Sequence, residues 1–346
     1  MVAAPPGAGP LPTGSAEVLD VVVTDPIIST FADRLVARAP SHRWSFLADA
    51  SPAARADDVA RADVVVCSRM SPEEARTVAS ARLVHVTGAG VDRVAVGDLP
   101  ASTAVANTFH HARPIAEHVM MTTLALVRRL LPTDRELRAG TWRTILTDPS
   151  APLHPTLDTM TLGLVGLGTI GAETALLAAG FGMDVVAVRH RPEAPLPDGV
   201  SPRWVGGDAD LHRLLAESDV VVVTVPLSPA TEGLIGAAEL DAMRETAFLV
   251  NVARGPVVAQ DALHRALSRG TIAGAALDVW WGTPEPGRTP PADFPFAELD
   301  NVILTPHYSG LASSTFERRV VDIAANIEAV ASGAPLRNRV RSAAAS

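Results

Sequence analysis

The segment Thr161 to Ala172 reads TLGLVGLGTIGA: an apolar run passes straight into Gly166-Leu167-Gly168-Thr169-Ile170-Gly171, and an alanine-rich stretch follows. A strand that turns through G-x-G-x-x-G into a helix meets a demanding set of steric conditions. The first glycine permits the tight turn, the second lets the backbone approach a pyrophosphate, and the third lets helix pack on strand. The helix N-terminus, with Thr169 and Ile170 in its first turn, then faces the phosphate charge. Alone the motif is weak evidence, because a glycine turn can be just a turn. Here Val185 to Val188 supplies the second strand that a βαβ dinucleotide site requires. The segment therefore predicts a doubly wound α/β lobe that binds NAD or NADP.

The tip of that second strand normally carries an acid that bonds the adenosine ribose. This chain has Arg189-His190-Arg191 there, and the next acid is Glu193, beyond Pro192. A carboxylate would repel a 2′-phosphate, whereas guanidinium groups bind one through charge-assisted hydrogen bonds. NADP is the expected cofactor, with NAD possible. The alternative is a pair of surface arginines that touch no ligand.

Other short runs fall into the same pattern. Val18 to Thr24, Asp63 to Cys67 and Leu83 to Thr87 read as buried strands, with helices over Phe31 to Arg38 and Pro72 to Ala81. A long apolar helix is expected over Pro114 to Leu131, closed by Pro132. After Thr161 to Val165 and Val185 to Val188 come strands at Val220 to Thr224, Ala247 to Asn251, Ala273 to Leu277 and Val302 to Leu304. A last amphipathic helix spans Ser313 to Ala331. The 346 residues are too many for one ordinary core. The expected fold class is α/β with two doubly wound lobes, a cofactor lobe inserted into a flavodoxin-like substrate lobe. The substrate lobe takes residues 18–112 and 309–346, the cofactor lobe 113–308, and 1–17 form a disordered tail.

Charge and composition exclude several functions. The net charge of -9 argues against nucleic acid as partner, since phosphate binding needs a basic face. All 29 basic residues are arginine, which excludes a Schiff-base lysine and the lysine of a P-loop. One cysteine, Cys67, leaves no disulfide framework and no cysteine zinc site. No apolar run approaches a membrane span. These readings make a cytoplasmic enzyme the expectation, with no membrane partner. His110, His111 and His118 cluster by sequence, but without carboxylate or cysteine partners at ligand spacing they are read as polar lining and no metal is expected.

The chain resembles the D-isomer-specific 2-hydroxyacid dehydrogenase family. The resemblance rests on Val86 to Asp92 (VTGAGVD), Ala116-Glu117-His118, Arg138 to Trp142, the glycine motif, Glu217 to Val220, Pro226-Leu227, Asn251 to Gly255 (NVARG), Leu277-Asp278-Val279 and Thr305-Pro306-His307. It implies that Arg254 grips the substrate carboxylate and 2-oxo oxygen, and that His307 is the acid/base. It implies further that Asp278 orients the nicotinamide amide and that Ala89 and Gly90 hold the carboxylate through backbone N–H groups. Ser68 and Arg69 lie on a loop that also reaches substrate. Val225, Pro226, Thr231, Val252, Ala253 and Gly310 complete the implied cofactor contacts. The implied reaction is reversible NAD(P)-dependent reduction of a small 2-oxo acid to a D-2-hydroxy acid, by a homodimer. These residue types suit it, because a developing alkoxide needs a cation beside it and a proton donor that titrates near neutrality.

One position departs from the family pattern. Thr283-Pro284 stands where the family has glutamate-proline, and Glu285-Pro286 follows two residues later. Glu285 is the candidate third catalytic residue if the loop shifts by two. Two alternatives stay open: oxidation of a phosphite- or formate-type anion, and an NAD(P)-sensing binding module without turnover. Arg69, Arg113 and the His110-His111 pair suggest extra positive charge at the substrate mouth, hence a doubly anionic 2-oxo acid such as phosphonopyruvate.

Overall fold

The computed structural model describes residues 17–284 and 291–341. Glu285 and all of the expected tail except Glu17 lie outside the described residues. The chain divides into two compact units, residues 1–110 with 313–346, and residues 111–312.

The first unit is built on β1 (Asp20–Val23), β2 (Arg43–Phe46), β3 (Val64–Cys67), β4 (Leu83–Val86) and β5 (Ala104–Ala106). These five pair in parallel in the order β2-β1-β3-β4-β5, and the strand Arg339–Arg341 adds an antiparallel edge beside β5. That is the flavodoxin-like order. The runs VVVC and LVHV are buried along their whole length, because helices cover both faces of a parallel sheet. On one face, Phe316, Val320, Ile323, Ile327 and Val330 of the helix Ser313–Ser332 pack with Leu19, Val21, Val23 and Leu35.

The second unit carries β6 (Thr161–Val165), β7 (Asp184–Val188), β8 (Trp204–Gly206), β9 (Val220–Val223), β10 (Phe248–Asn251), β11 (Gly274–Leu277) and β12 (Val302–Leu304). All pair in parallel, in the order β8-β7-β6-β9-β10-β11-β12. The strand order reverses between β6 and β9. An open α/β sheet binds its ligand outside the carboxyl ends of the strands at such a point.

The structure differs from the sequence reading at the long helix. It runs over Ala112–Val127, and a second helix occupies Leu130–Arg138. Arg129 between them adopts a left-handed conformation, φ 50°. Pro132 therefore does not close a helix. It is the third residue of the next one, where a missing N–H leaves no intrahelical bond unmade.

His85, in the middle of β4, is fully buried, and neither ring nitrogen has a hydrogen-bond partner. Burial pushes its pKa down to about 4, only partly opposed by the negative charge of Asp322. In the unfolded chain it titrates near 6.5. Its contribution to stability is thus complete above that value and is lost as pH falls toward about 4, where folding must exclude a proton that the unfolded chain binds. The shift corresponds to about 3 kcal/mol. Urea denaturation at neutral pH and at about pH 4 is expected to show that much less acid loss in His85→Phe than in the natural chain. Parallel losses would contradict the assignment.

Candidate active site

The glycine motif folds as its chemistry requires. Gly166 has φ +106°, and a Cβ there would stand 2.9 Å from Thr224 Oγ1. Gly171 lies against the Gly166 carbonyl, where a Cβ has no room. Around Gly168, by contrast, a Cβ would meet nothing within 4 Å. Gly168 is also the N-cap of the helix Thr169–Gly180, and no side chain caps that terminus. Open space above a glycine, facing an uncapped helix N-terminus, is the cradle that a pyrophosphate fills.

The remaining candidates of this unit stand along the same sheet edge. Val225 and Pro226 follow β9, Arg254 follows β10, Asp278 follows β11 and His307 follows β12. Because those strands are neighbours, one carboxyl edge carries the glycine turn and every one of these groups. Thr231 Oγ1 donates to the Pro226 carbonyl at 2.6 Å and accepts from the Ser228 amide at 2.8 Å, fixing the loop after β9.

Arg254 is held in extended backbone, φ -145° and ψ 146°. Before it, buried Asn251 receives the Ala253 amide on Oδ1 (3.1 Å) and donates Nδ2 to the Arg254 carbonyl (3.1 Å). Val252 and Ala253 are both buried. Gly255 lies against the Trp280 carbonyl so closely that a side chain would displace it.

His307 is exposed, with φ +56°, a conformation that a non-glycine side chain holds only when its surroundings enforce it. Asp278 supplies the enforcement. Its buried carboxylate accepts Thr305 Oγ1 (2.7 Å) and the Tyr308 amide (3.0 Å) on one oxygen, and the Ser309 amide (3.1 Å) on the other. The bonds bracket His307 on both sides. Sequence reasoning gave Asp278 the nicotinamide amide and missed this positioning task. Trp280 Nε1 donates to the Thr305 carbonyl at 3.0 Å, a further tie on the same loop. Trp281 stacks on Phe296 with ring centroids 5.3 Å apart, so the tryptophan pair is packing. His118 is buried edge-on against Tyr308, and burial pushes its pKa down, partly opposed by Asp278. Gly310 lies close to His111, whose Cβ is 3.4 Å from where its own would be.

Two cations are committed where the sequence reading left them available. Arg113 donates Nε to Glu117 at 2.9 Å and approaches Glu173 at 3.6 Å, so its charge is balanced within this unit. Arg189 turns its guanidinium onto the carbonyls of Pro192 (3.1 Å), Ala194 and Pro195 (3.3 Å), shaping the loop beyond β7. His190 stands 3.4 Å from Asp208, and Arg191 is exposed. Arg191 is therefore the cation available to a ligand at the strand tip.

In the first unit, Ser68 and Arg69 follow β3, and Gly88-Ala89-Gly90 follows β4. Asn107 Nδ2 donates to the Ala89 carbonyl at 2.7 Å, a contact that no sequence motif signals. Among the described residues the Ala89 and Gly90 amides make no backbone hydrogen bond. His110 binds Asp322 of the same unit at 2.7 Å. No group of three His, Cys, Asp or Glu among the described residues is placed to hold a metal ion.

A family model described as "D-isomer specific 2-hydroxyacid dehydrogenase, NAD binding domain" matches residues 120–309, more than half of the chain. The chain belongs to this family. Within it, the chain is similar to a glyoxylate reductase of Korarchaeum cryptofilum, 37% identical over 218 residues that cover 63% of this chain and 63% of that protein. It is also similar to a glycerate dehydrogenase of Methylorubrum extorquens, 33% identical over 268 residues, 73% of this chain and 77% of the other. Among solved structures, a family member from Xanthobacter autotrophicus in complex with NADPH and MES superposes with a TM-score of 0.75 at 29% identity, covering 94% and 98% of the two chains. Membership makes the second unit an NAD-binding domain, in agreement with the glycine cradle. No helix among the described residues is long and apolar enough to cross a membrane.

Proposed function

We propose that the protein reduces a small 2-oxo acid to the D-2-hydroxy acid, with NADPH as the preferred reductant. The observation that carries this reading is the shared carboxyl edge of the second sheet. There the phosphate cradle, a cation in fixed backbone (Arg254) and a histidine in enforced backbone (His307) stand on the loops that follow β6, β10 and β12. When bound, the nicotinamide supplies the hydride. The Arg254 guanidinium stabilises the negative charge that develops on the 2-oxo oxygen, and the His307 imidazolium gives that oxygen its proton. The Ala89 and Gly90 amides hold the substrate carboxylate, with Ser68 and Arg69 as further contacts. Asp278 acts as a positioning residue through the loop it brackets. Glu285 remains the candidate partner of His307 from the family pattern.

The cofactor contacts follow the same edge. Gly166, Gly168, Thr169, Ile170 and Gly171 receive the pyrophosphate, and Val225, Pro226, Thr231, Val252, Ala253 and Gly310 line the rest. Arg191 takes the 2′-phosphate, beside His190 and the loop that Arg189 shapes. Arg113 is left out of the substrate set because Glu117 and Glu173 already balance it. Steady-state NADPH oxidation with glyoxylate, hydroxypyruvate and pyruvate tests the reading. Turnover of at least one supports it, and none with any 2-oxo acid would contradict it.

The protein is also proposed to act as a homodimer. The helix Leu130–Arg138 buries none of its residues, and Trp142, Leu146 and Leu153 after it are 70%, 93% and 81% exposed. Apolar side chains so concentrated on one segment mark an interaction surface. Light scattering at micromolar concentration is expected to give twice the chain mass of 36.1 kDa. Leu146→Asp is expected to shift the population toward the single-chain mass, and a natural chain that is monomeric at that concentration would refute the pairing.

A further inference from the structure

A cavity of about 570 Å³ opens within the first unit, lined by Ala48, Ala50 and Pro52, by Arg69 to Pro72 and by Asp92 to Ala95. These segments follow β2, β3 and β4, so the cavity lies at the carboxyl edge of the first sheet. The proposed carboxylate turn, Ala89-Gly90, is at that same edge and enters the cavity wall two residues later. Glyoxylate carries only hydrogen on its oxo carbon and would leave such a volume empty, since small-molecule pockets of roughly 300–1,000 Å³ enclose far larger ligands.

The wall has a definite electrostatic design. Among its lining residues, Arg55 donates Nε to Glu74 at 2.7 Å, and both side chains are nearly fully buried, a closed neutral pair. Met70 and Val94, also in its lining, form a parallel bridge, with Met70 N donating to the Arg93 carbonyl at 2.9 Å and Ala95 N to the Met70 carbonyl at 3.0 Å. Met70 and Val94 are buried, so the alternation of a strand sends Arg69 and Arg93 together to the other, exposed side. Neither guanidinium has a hydrogen bond or ion pair among the described residues, whereas most of the described arginines are held by carboxylates or carbonyls. Asp92 also lines the cavity and has its own interaction. Two adjacent guanidinium groups suit the planar oxygens of a carboxylate or the tetrahedral oxygens of a phosphonate.

We infer that this cavity is a subsite for a second anionic group at the far end of the 2-oxo acid, and that Arg93 with Arg69 selects dianionic substrates. The inference rests on the proposed reductase reading. The residue that discriminates is Arg93, because Arg69 lies on the loop already assigned to substrate.

The experiment compares catalytic efficiency for oxaloacetate, 2-oxoglutarate and phosphonopyruvate with that for pyruvate and 2-oxopentanoate, which lack the second charge. Glyoxylate serves as the common reference. Dianions are expected to exceed the monoanionic analogues by at least about tenfold, the worth of one charge-assisted hydrogen bond at a partly solvated site. Arg93→Gln is expected to collapse that ratio, chiefly through KM, while Arg93→Lys retains most of it. The carboxylate and phosphonate arms show which oxyanion geometry fits. Glyoxylate reduction without any preference for dianions, or a preference that Arg93→Gln leaves intact, would overturn the subsite alone. Failure with every 2-oxo acid, glyoxylate included, would remove the reductase reading on which it rests.

Discussion

His307→Ala is expected to lower turnover by about a hundredfold to ten-thousandfold while NADPH still binds. Positioned proton transfer contributes on that order, and histidine is the side chain most often used for it. Arg254→Ala is expected to lose a comparable factor, because a cation aimed at a developing alkoxide is worth about 2.7–4 kcal/mol in related oxyanion sites. Neither change touches the glycine cradle, and both side chains stand on loops rather than in a core. The structure also explains why the loop holds its shape without the imidazole. The three hydrogen bonds that Asp278 accepts come from Thr305 Oγ1 and from the amides of Tyr308 and Ser309, and none comes from the His307 side chain. Single-turnover and steady-state rates, with NADPH titrated by fluorescence, check both variants. Turnover within a few-fold of the natural chain would remove the residue from the mechanism.

The natural chain is expected to use NADPH with at least tenfold higher efficiency than NADH, and Arg191→Asp to abolish or reverse that preference. The strand tip carries no acid to hold the ribose hydroxyls that NADH presents. A charge-assisted hydrogen bond to a 2′-phosphate contributes about 1.5–3 kcal/mol when well aligned. Solvent screens it at an exposed side chain, so about 1.4 kcal/mol, a factor of ten, is the sensible floor. The structure moves the weight of this prediction. Arg189 is turned onto the carbonyls of Pro192, Ala194 and Pro195, and His190 neighbours Asp208, which leaves Arg191 as the principal cation. The charge reversal adds repulsion of the phosphate to the loss of attraction. Equal efficiencies with the two cofactors in the natural chain would show that Arg191 points away from the ribose.

The parts of the fold that were legible in the sequence are those where local sequence and burial coincide. Strands covered on both faces must be apolar throughout, so β1, β3, β4, β6 and β9 stand out as valine and leucine runs. The glycine turn is legible because steric demands at Gly166 and Gly171 admit almost nothing else. Edge strands escape, since β2 (RWSF) and β8 (WVG) are only partly covered and short, with neither a run nor a clear alternation. The break at Arg129 leaves no compositional mark, because an arginine in left-handed backbone looks like any other helical arginine.

The candidate site divides in the same way. Arg254 and His307 were legible as residues in motifs, whereas the groups that fix them were not. Asp278 reaches residues 27 to 31 positions away, and Asn107 reaches Ala89 across 18. Such pairings exist only once the strands are laid side by side. Counting charges likewise finds Arg113 and Arg189 but cannot show that Glu173, or three loop carbonyls, already occupy them. Arg93 drew no attention in the sequence, because only the bridge between Met70 and Val94 sets it beside Arg69.

The most direct test of the central claim is one reaction followed to completion: the natural chain, NADPH and hydroxypyruvate, with NADPH consumption measured by absorbance and the product resolved on a chiral phase. The account predicts one D-glycerate formed for each NADPH oxidised, and loss of both signals in His307→Ala. Bound NADPH that is never oxidised, or a product of L configuration, would contradict it.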